Sequence, residues 1–141
     1  MLARVFIDTG IFIYAFEFPN SNSNKILGLL NKREIEAVVS TRVLKEVTNY
    51  FEKHHNLALA RLFRRYIVNS CFIVSAETVK EITNKLRGQI KEKDLEQLAV
   101  VKKFKLKHLI AYDKDFDKVE EYITPKEFIK KVGLTPSKEE Y

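Results

Sequence analysis

RVFIDTGIFIYAF, Arg4 to Phe16, contains a change of period that governs how the rest of the chain folds. Arg4 to Asp8 holds a nearly continuous apolar run, Val5-Phe6-Ile7, the pattern of a short strand buried on both faces. Strands of that kind occur in parallel sheets covered by helices on either side. From Ile11 to Phe16 the spacing turns helical, and Pro19 breaks the helix because its nitrogen carries no hydrogen to donate.

The same alternation continues outward. Ser21 to Arg33 carries Ile26, Leu27, Leu29 and Leu30 on one side and reads as a second helix. AVVS, Ala37 to Ser40, is a strand of minimum length, and Thr41 is placed to cap the next helix, which aligns Val43, Val47, Tyr50 and Phe51. A helix is expected over Asn56 to Asn69, a strand over Cys71 to Val74, and helices near Glu77 to Gly88 and Asp94 to Lys105. His108 to Tyr112 (HLIAY) and Tyr122 to Thr124 read as strands, and Pro125 opens a last helix that stops at Gly133. The expected class is α/β, a three-layer α/β/α sandwich with a central parallel sheet.

The 141 residues suit one compact domain, with about 134–141 a polar tail whose PSKEEY has the look of a frayed end. Hydrophobic residues at 45% and charged residues at 31% exclude a disordered or collagen-like chain. A single cysteine, Cys71, excludes an internal disulfide and a thiolate zinc site, and three histidines are too few for an imidazole-built metal centre. Any metal would be held by carboxylates. No apolar run reaches the roughly 20 residues a helical membrane span needs. MLARVFIDTGIFIYAF superficially resembles a signal peptide, but Asp8 and Gly10 interrupt it and no small-residue cleavage site follows, so a cytoplasmic location is expected.

Four acids sit where acids are unwelcome. Asp8 follows VFI and Asp113 follows LIAY, each at the carboxyl end of a strand, the edge at which open parallel sheets bind ligands. Either could equally serve as a turn former or helix N-cap. Glu46 lies three residues after Val43 and four before Tyr50, on the apolar stripe, and Asp94 repeats the pattern with Leu98 and Val101 four and seven residues on. Singly, Glu46 reads as well as a salt-bridge partner and Asp94 as a cap before Leu95. Together, several carboxylates in one crevice repel one another unless a cation neutralises them, and an oxygen-rich, nitrogen-poor set suits Mg²⁺ or Mn²⁺. With 25 Lys and Arg against 19 Asp and Glu, a formal charge of +6 surrounds that acidic site, which suits a polyanionic substrate.

These residues resemble the PIN-domain nucleases, in particular the VapC-type toxin ribonucleases, over roughly Val5 to Val132. VFIDTGIFIYAF resembles the family's opening strand, first acid and helix; STRVLKEVTNYF resembles the motif of the second acid; KDLEQLAVVKKFKLKHLIAYDKDF resembles the paired third and fourth motifs. The resemblance implies a PIN-like fold and a Mg²⁺- or Mn²⁺-dependent endoribonuclease. Asp8, Asp94, Asp113 and Glu46 would be its metal ligands and catalytic acids, with Asp115 a second choice for the fourth position. It also implies an RNA substrate, a cognate antitoxin whose tail occupies the acidic crevice, and a homodimer. Gly10 and Ala111 depart from the pattern, standing where the family often has polar residues, and Glu96 reads as a solvated neighbour of Asp94. Thr9 serves either as hydroxyl support for the site or as a helix cap. Arg42, Lys45, Arg61, Arg64, Arg65, Lys102, Lys103, Lys105 and Lys107 hold RNA phosphates or simply form solvated faces. Tyr14, Phe16, Phe18 and Tyr50 stack bases or pack in a core or subunit interface, Phe51 reads as core, and His54 and His55 as partners of a helix C-terminus.

Two other classes compete. Phosphoryl transfer through an aspartyl intermediate at Asp8 would require a second Asp two residues on, where Gly10 stands, or a receiver-type acidic pair, which is absent. A non-catalytic PIN module binding RNA or protein in an assembly is favoured by Ala111.

Overall fold

A computed structural model describes residues 2–141. Five strands, β1 (Ala3–Ile7), β2 (Ile35–Ser40), β3 (Cys71–Val74), β4 (His108–Ile110) and β5 (Tyr122–Ile123), form one parallel sheet in the order β3-β2-β1-β4-β5. Seven helices surround it: α1 (Thr9–Glu17), α2 (Asn22–Asn31), α3 (Thr41–His54), α4 (Leu57–Ser70), α5 (Lys80–Leu86), α6 (Leu95–Lys103) and α7 (Pro125–Lys131). The fold is the expected α/β/α sandwich. A receiver-type domain would follow the flavodoxin-like order 2-1-3-4-5, so the topology removes that reading.

The double-sided apolar run at the start of the chain occupies the centre of the sheet. Val5, Phe6 and Ile7 are fully buried, with β2 on one side and β4 on the other. From β1 the chain builds outward through β2 to β3, then crosses back to lay β4 and β5 on the opposite side. The point where the order reverses lies between the carboxyl ends of β1 and β4, and there the backbone of Asp8 donates to the Ile110 carbonyl at 3.0 Å.

Local chemistry sets the helix boundaries, with a few departures from the sequence pattern. Ser40, not Thr41, caps α3: its hydroxyl accepts from the Val43 N–H at 3.2 Å, and Thr41 is already helical. Thr124 and Glu127 form a reciprocal capping box with Pro125 in the first turn of α7. The helix expected near 77–88 divides into a 3₁₀ turn, Glu77–Val79, and the short α5. Asp94 closes another 3₁₀ turn, Glu92–Asp94, so α6 begins one residue later than its apolar period suggests. That helix stops at Lys103, followed by a left-handed Lys105 (φ 51°).

The segment after Gly133 is packed rather than frayed. The Ser137 N–H donates to Asn22 Oδ1 at 2.7 Å, and the Tyr141 carbonyl accepts from the Ser23 N–H at 3.0 Å and the Tyr112 hydroxyl at 2.6 Å. Tyr141 stacks on Tyr14 with centroids 4.0 Å apart. This strap satisfies α2 residues that are wholly removed from solvent, Asn22 and Ser23.

Candidate active site

Asp8 leaves β1 at the switch point and occupies the N-cap position of α1, yet its side chain makes no capping bond. Burial pushes its carboxyl group up from 3.8 to about 7; the Thr9 backbone N–H opposes the shift, and the charges of Glu46, Asp94 and Asp113 reinforce it. The three other acids singled out in the sequence are therefore its electrostatic neighbours.

Glu46 reaches the site from α3. The stripe of Val43, Val47 and Phe51 is fully buried, whereas the Glu46 side chain, 42% exposed, stands at its border and opens onto the cleft. The Thr9 hydroxyl donates to Glu46 Oε1 at 2.9 Å, which decides between the two roles open to Thr9: it braces the acid and does not cap the helix. Arg42 Nε lies 3.8 Å from Glu46 Oε2, a loose ion pair rather than a hydrogen bond.

Asp94 is 4% exposed and makes no capping bond to α6, and its Oδ2 has no hydrogen-bond partner. Burial raises its pKa; the Lys93 charge opposes that, Asp113 and Asp115 add to it, and Arg42 opposes it. Asp113 lies beyond the end of β4, which stops at Ile110, and it does act as a local cap: Oδ1 accepts from the Asp115 N–H at 2.8 Å. Its Oδ2 accepts from Lys93 Nζ at 3.2 Å. Asp115 is held by Lys91 at 3.1 Å and Lys93 at 3.4 Å, and these lysines keep its carboxyl below the usual range. Carboxylate oxygens of Asp94, Asp113 and Asp115 all fall within 4.8 Å of one another.

A cleft of about 390 Å³ gathers Asp8, Thr9, Glu46, Asp94 and Asp113 on one wall system. Tyr14, one of the aromatics singled out in the sequence, also lines it, and three polar side chains there were missed: Lys93, Gln97 and Tyr112. Gln97 was detectable in principle, since it lies three residues after Asp94 and on the same helix face; its buried Oε1 also lacks a partner. Lys93 carried no signal in a lysine-rich stretch. Glu96 is more than a solvated neighbour: it accepts from the Arg42 N–H at 2.9 Å and the Thr41 hydroxyl at 3.3 Å, tying α6 to the start of α3. This link fixes the spacing between the elements that carry Asp94 and Glu46.

The basic residues separate into groups. Arg42 and Lys45 line a depression of about 470 Å³ that shares Glu46 with the acidic cleft. Arg61, Arg64 and Arg65 are exposed on α4 and line neither hollow. Lys102 is paired with Glu121 at 3.0 Å and faces a separate cavity beside Asp115; Lys103, Lys105 and Lys107 are exposed. Ala111 is fully buried and does not line the cleft. Of the aromatics, Phe51 is core, and His55 bonds to Glu17 at 2.6 Å, joining the ends of α1 and α3. Among the described residues, no helix is long and apolar enough to cross a membrane.

The carboxylate-rich cleft lies at the switch point of a parallel sheet, the edge at which such sheets bind ligands. The sequence matches the PIN domain family over residues 5–122, and the chain belongs to that family. No curated protein matches it by sequence at a significant level. The fold is shared with the toxin–antitoxin complex from Klebsiella pneumoniae (TM-score 0.69, 22% identity, covering 87% of this chain and 98% of that one). It is also shared with Mycobacterium tuberculosis VapC20, a sarcin-ricin-loop-cleaving toxin (0.63, 16%, 82% and 97%). DNA-bound VapBC from Salmonella typhimurium is a third such structure (0.69, 13%, 89% and 99%).

Proposed function

We propose that the chain is a divalent-metal-dependent endoribonuclease, the toxin of a toxin–antitoxin pair. The observation that supports this reading most is the gathering of Asp8, Glu46, Asp94 and Asp113, remote in sequence, into one cleft. The unpartnered Oδ2 of Asp94 and the desolvated carboxylate of Asp8 beside it in the cleft fit a cation with oxygen ligands, Mg²⁺ or Mn²⁺. In this reading Asp8, Asp94 and Asp113 hold the ion and Glu46, braced by Thr9, completes the set directly or through water. When bound, such an ion lowers the pKa of water and offsets charge on a phosphate undergoing in-line attack. Asp115, engaged by two lysines, takes a lesser part.

Arg42 and Lys45 flank the acids on the Glu46 side and are assigned to the RNA backbone; Arg61, Arg64, Arg65, Lys102 and Lys103 would contribute only to its long-range attraction. An apolar groove of about 580 Å³ between α1, α2 and α4, lined by Phe16, Leu59, Leu62 and Phe63, is assigned to the antitoxin. Leu62 is 58% and Phe16 40% exposed there. Sedimentation of the chain alone, then with the candidate antitoxin, tests this assignment and the homodimer together. The central experiment is a fluorescent RNA incubated with Mn²⁺, with Mn²⁺ plus EDTA, and with Asp8→Asn. Cleavage confined to the first mixture is the expected result; RNA binding without chelator-sensitive cleavage would instead make the chain a non-catalytic module.

A further inference from the structure

We propose that Lys93 is a built-in counter-ion standing where a second divalent ion would otherwise bind, so that the cleft takes a single ion. The inference rests on the metal-dependent reading above and specifies its stoichiometry.

The two halves of the carboxylate group differ in what already neutralises them. On the Asp113–Asp115 side every oxygen is engaged. Asp113 accepts from the Asp115 N–H at 2.8 Å and from Lys93 at 3.2 Å; Asp115 meets Lys93 at 3.4 Å and Lys91 at 3.1 Å. On the Asp8–Asp94 side no ammonium among the described residues forms an ion pair with either acid. Asp94, 4% exposed, leaves Oδ2 without a partner, and the Asp8 side chain caps nothing. A buried carboxylate oxygen left unpaired is costly, so negative charge is least offset on this side. Asp8, Asp94 and Asp113 are the residues that would hold an ion there.

Lys93 is delivered to its place by backbone rather than by chance. It precedes Asp94 within the 3₁₀ turn Glu92–Asp94 and lines the same cleft as Asp8, Glu46 and Asp113. Carboxylate oxygens of Asp94, Asp113 and Asp115 within 4.8 Å of one another repel when ionised, and one ammonium bridging Asp113 and Asp115 offsets that repulsion. An ammonium carries three donors and no acceptor, so it neutralises the pair without coordinating water as a metal does.

The test counts Mn²⁺ bound per chain, by isothermal titration and by electron paramagnetic resonance of free Mn²⁺, after exhaustive chelation. The wild-type chain is expected to bind one ion, Lys93→Gln two, and Lys93→Arg one. Adding Asp115→Asn to Lys93→Gln should remove the extra ion. Lys93 is exposed, so circular dichroism of Lys93→Gln should match the wild type. Two ions in the wild type, or one in Lys93→Gln, overturns the role of Lys93. If the wild type also cleaves RNA with two ions bound, the nuclease reading stands without it. The change from one ion to two in a chain that never cleaves RNA sinks the nuclease reading and leaves the counter-ion in place. A wild type that binds no Mn²⁺ overturns both.

Discussion

Replacing Asp8 with asparagine should stabilise the metal-free protein, although it removes a side chain assigned to the centre of the site. Folding lifts the Asp8 carboxyl from 3.8 to about 7, with burial the largest cause. The folded state therefore binds more protons than the unfolded state between those values, and stability is lost as pH rises through that window. At about 1.4 kcal/mol per unit, the roughly three-unit shift amounts to about 4 kcal/mol once Asp8 is fully ionised. Water reaches part of this side chain, so the working figure is roughly 2 to 4 kcal/mol. Asparagine resembles the protonated acid and has no such dependence.

Wild type and Asp8→Asn should accordingly match near pH 4 and diverge towards pH 8, the variant melting roughly 8 to 15 °C higher in EDTA. Other acids titrate in both proteins, and the difference between the two melting curves isolates Asp8. Saturating Mn²⁺ should reverse the order, raising the melting temperature of the wild type at pH 8 and losing that effect as protons compete below about pH 7. Differential scanning calorimetry from pH 4 to 8, with EDTA or Mn²⁺, reads all of this. A difference that stays flat with pH, or an asparagine variant less stable at pH 8 in EDTA, would refute the claim that Asp8 is a desolvated, cation-seeking carboxylate.

Further outcomes are expected. Thr9→Val removes the 2.9 Å hydroxyl contact to Glu46, and single-turnover RNA cleavage should slow by roughly 10-fold with the melting temperature nearly unchanged. Asn22→Ala deprives the Ser137 N–H of its 2.7 Å partner in a buried setting, costing about 1–3 kcal/mol in urea unfolding. Phe51→Ala opens a cavity beneath Phe63, whose ring stacks on it at 4.1 Å, and should cost about 3–5 kcal/mol by the same measurement. Removing the charges of Arg42 and Lys45 together should weaken RNA affinity and flatten its salt dependence by a slope of about 1 to 2.

The parts of the fold legible in the sequence were those written in a single period. Val5-Phe6-Ile7 announced a central parallel strand because burial on both faces leaves no polar alternation. The acids at strand ends were legible for the same reason, since the carboxyl edge follows directly from strand direction. What the sequence hid depends on contacts between distant segments. Thr41 looked like a cap because capping chemistry suits Ser and Thr alike, and only the backbone shows Ser40 extended and Thr41 helical. The Tyr141 strap could not be read from a polar, unpatterned tail, because its hold comes from α2 polar groups that look like an ordinary helix start. Lys93 was invisible among neighbouring lysines until the chain brought Asp113 and Asp115 beside it.

The arrangement of charge in this molecule is therefore a matter of placement rather than of totals. A net charge of +6 explains attraction to a polyanion from a distance but says nothing of where the polyanion is held. At close range the acids are divided by their partners. Glu46 is braced by an uncharged hydroxyl, Asp113 and Asp115 are paired with lysines, and Asp8 and Asp94 are desolvated with no lysine or arginine in direct contact among the described residues. A surface built only for solubility gains nothing from desolvating two acids in one cleft, where the Asp94 charge further opposes ionisation of Asp8. A surface built to recruit a divalent ion gains affinity from that unfavourable starting point, because binding the ion relieves the repulsion and the lost hydration together. The same reasoning requires that affinity for Mn²⁺ fall when either Asp8 or Asp94 becomes asparagine, and fall less for Asp115→Asn, whose charge the lysines already absorb.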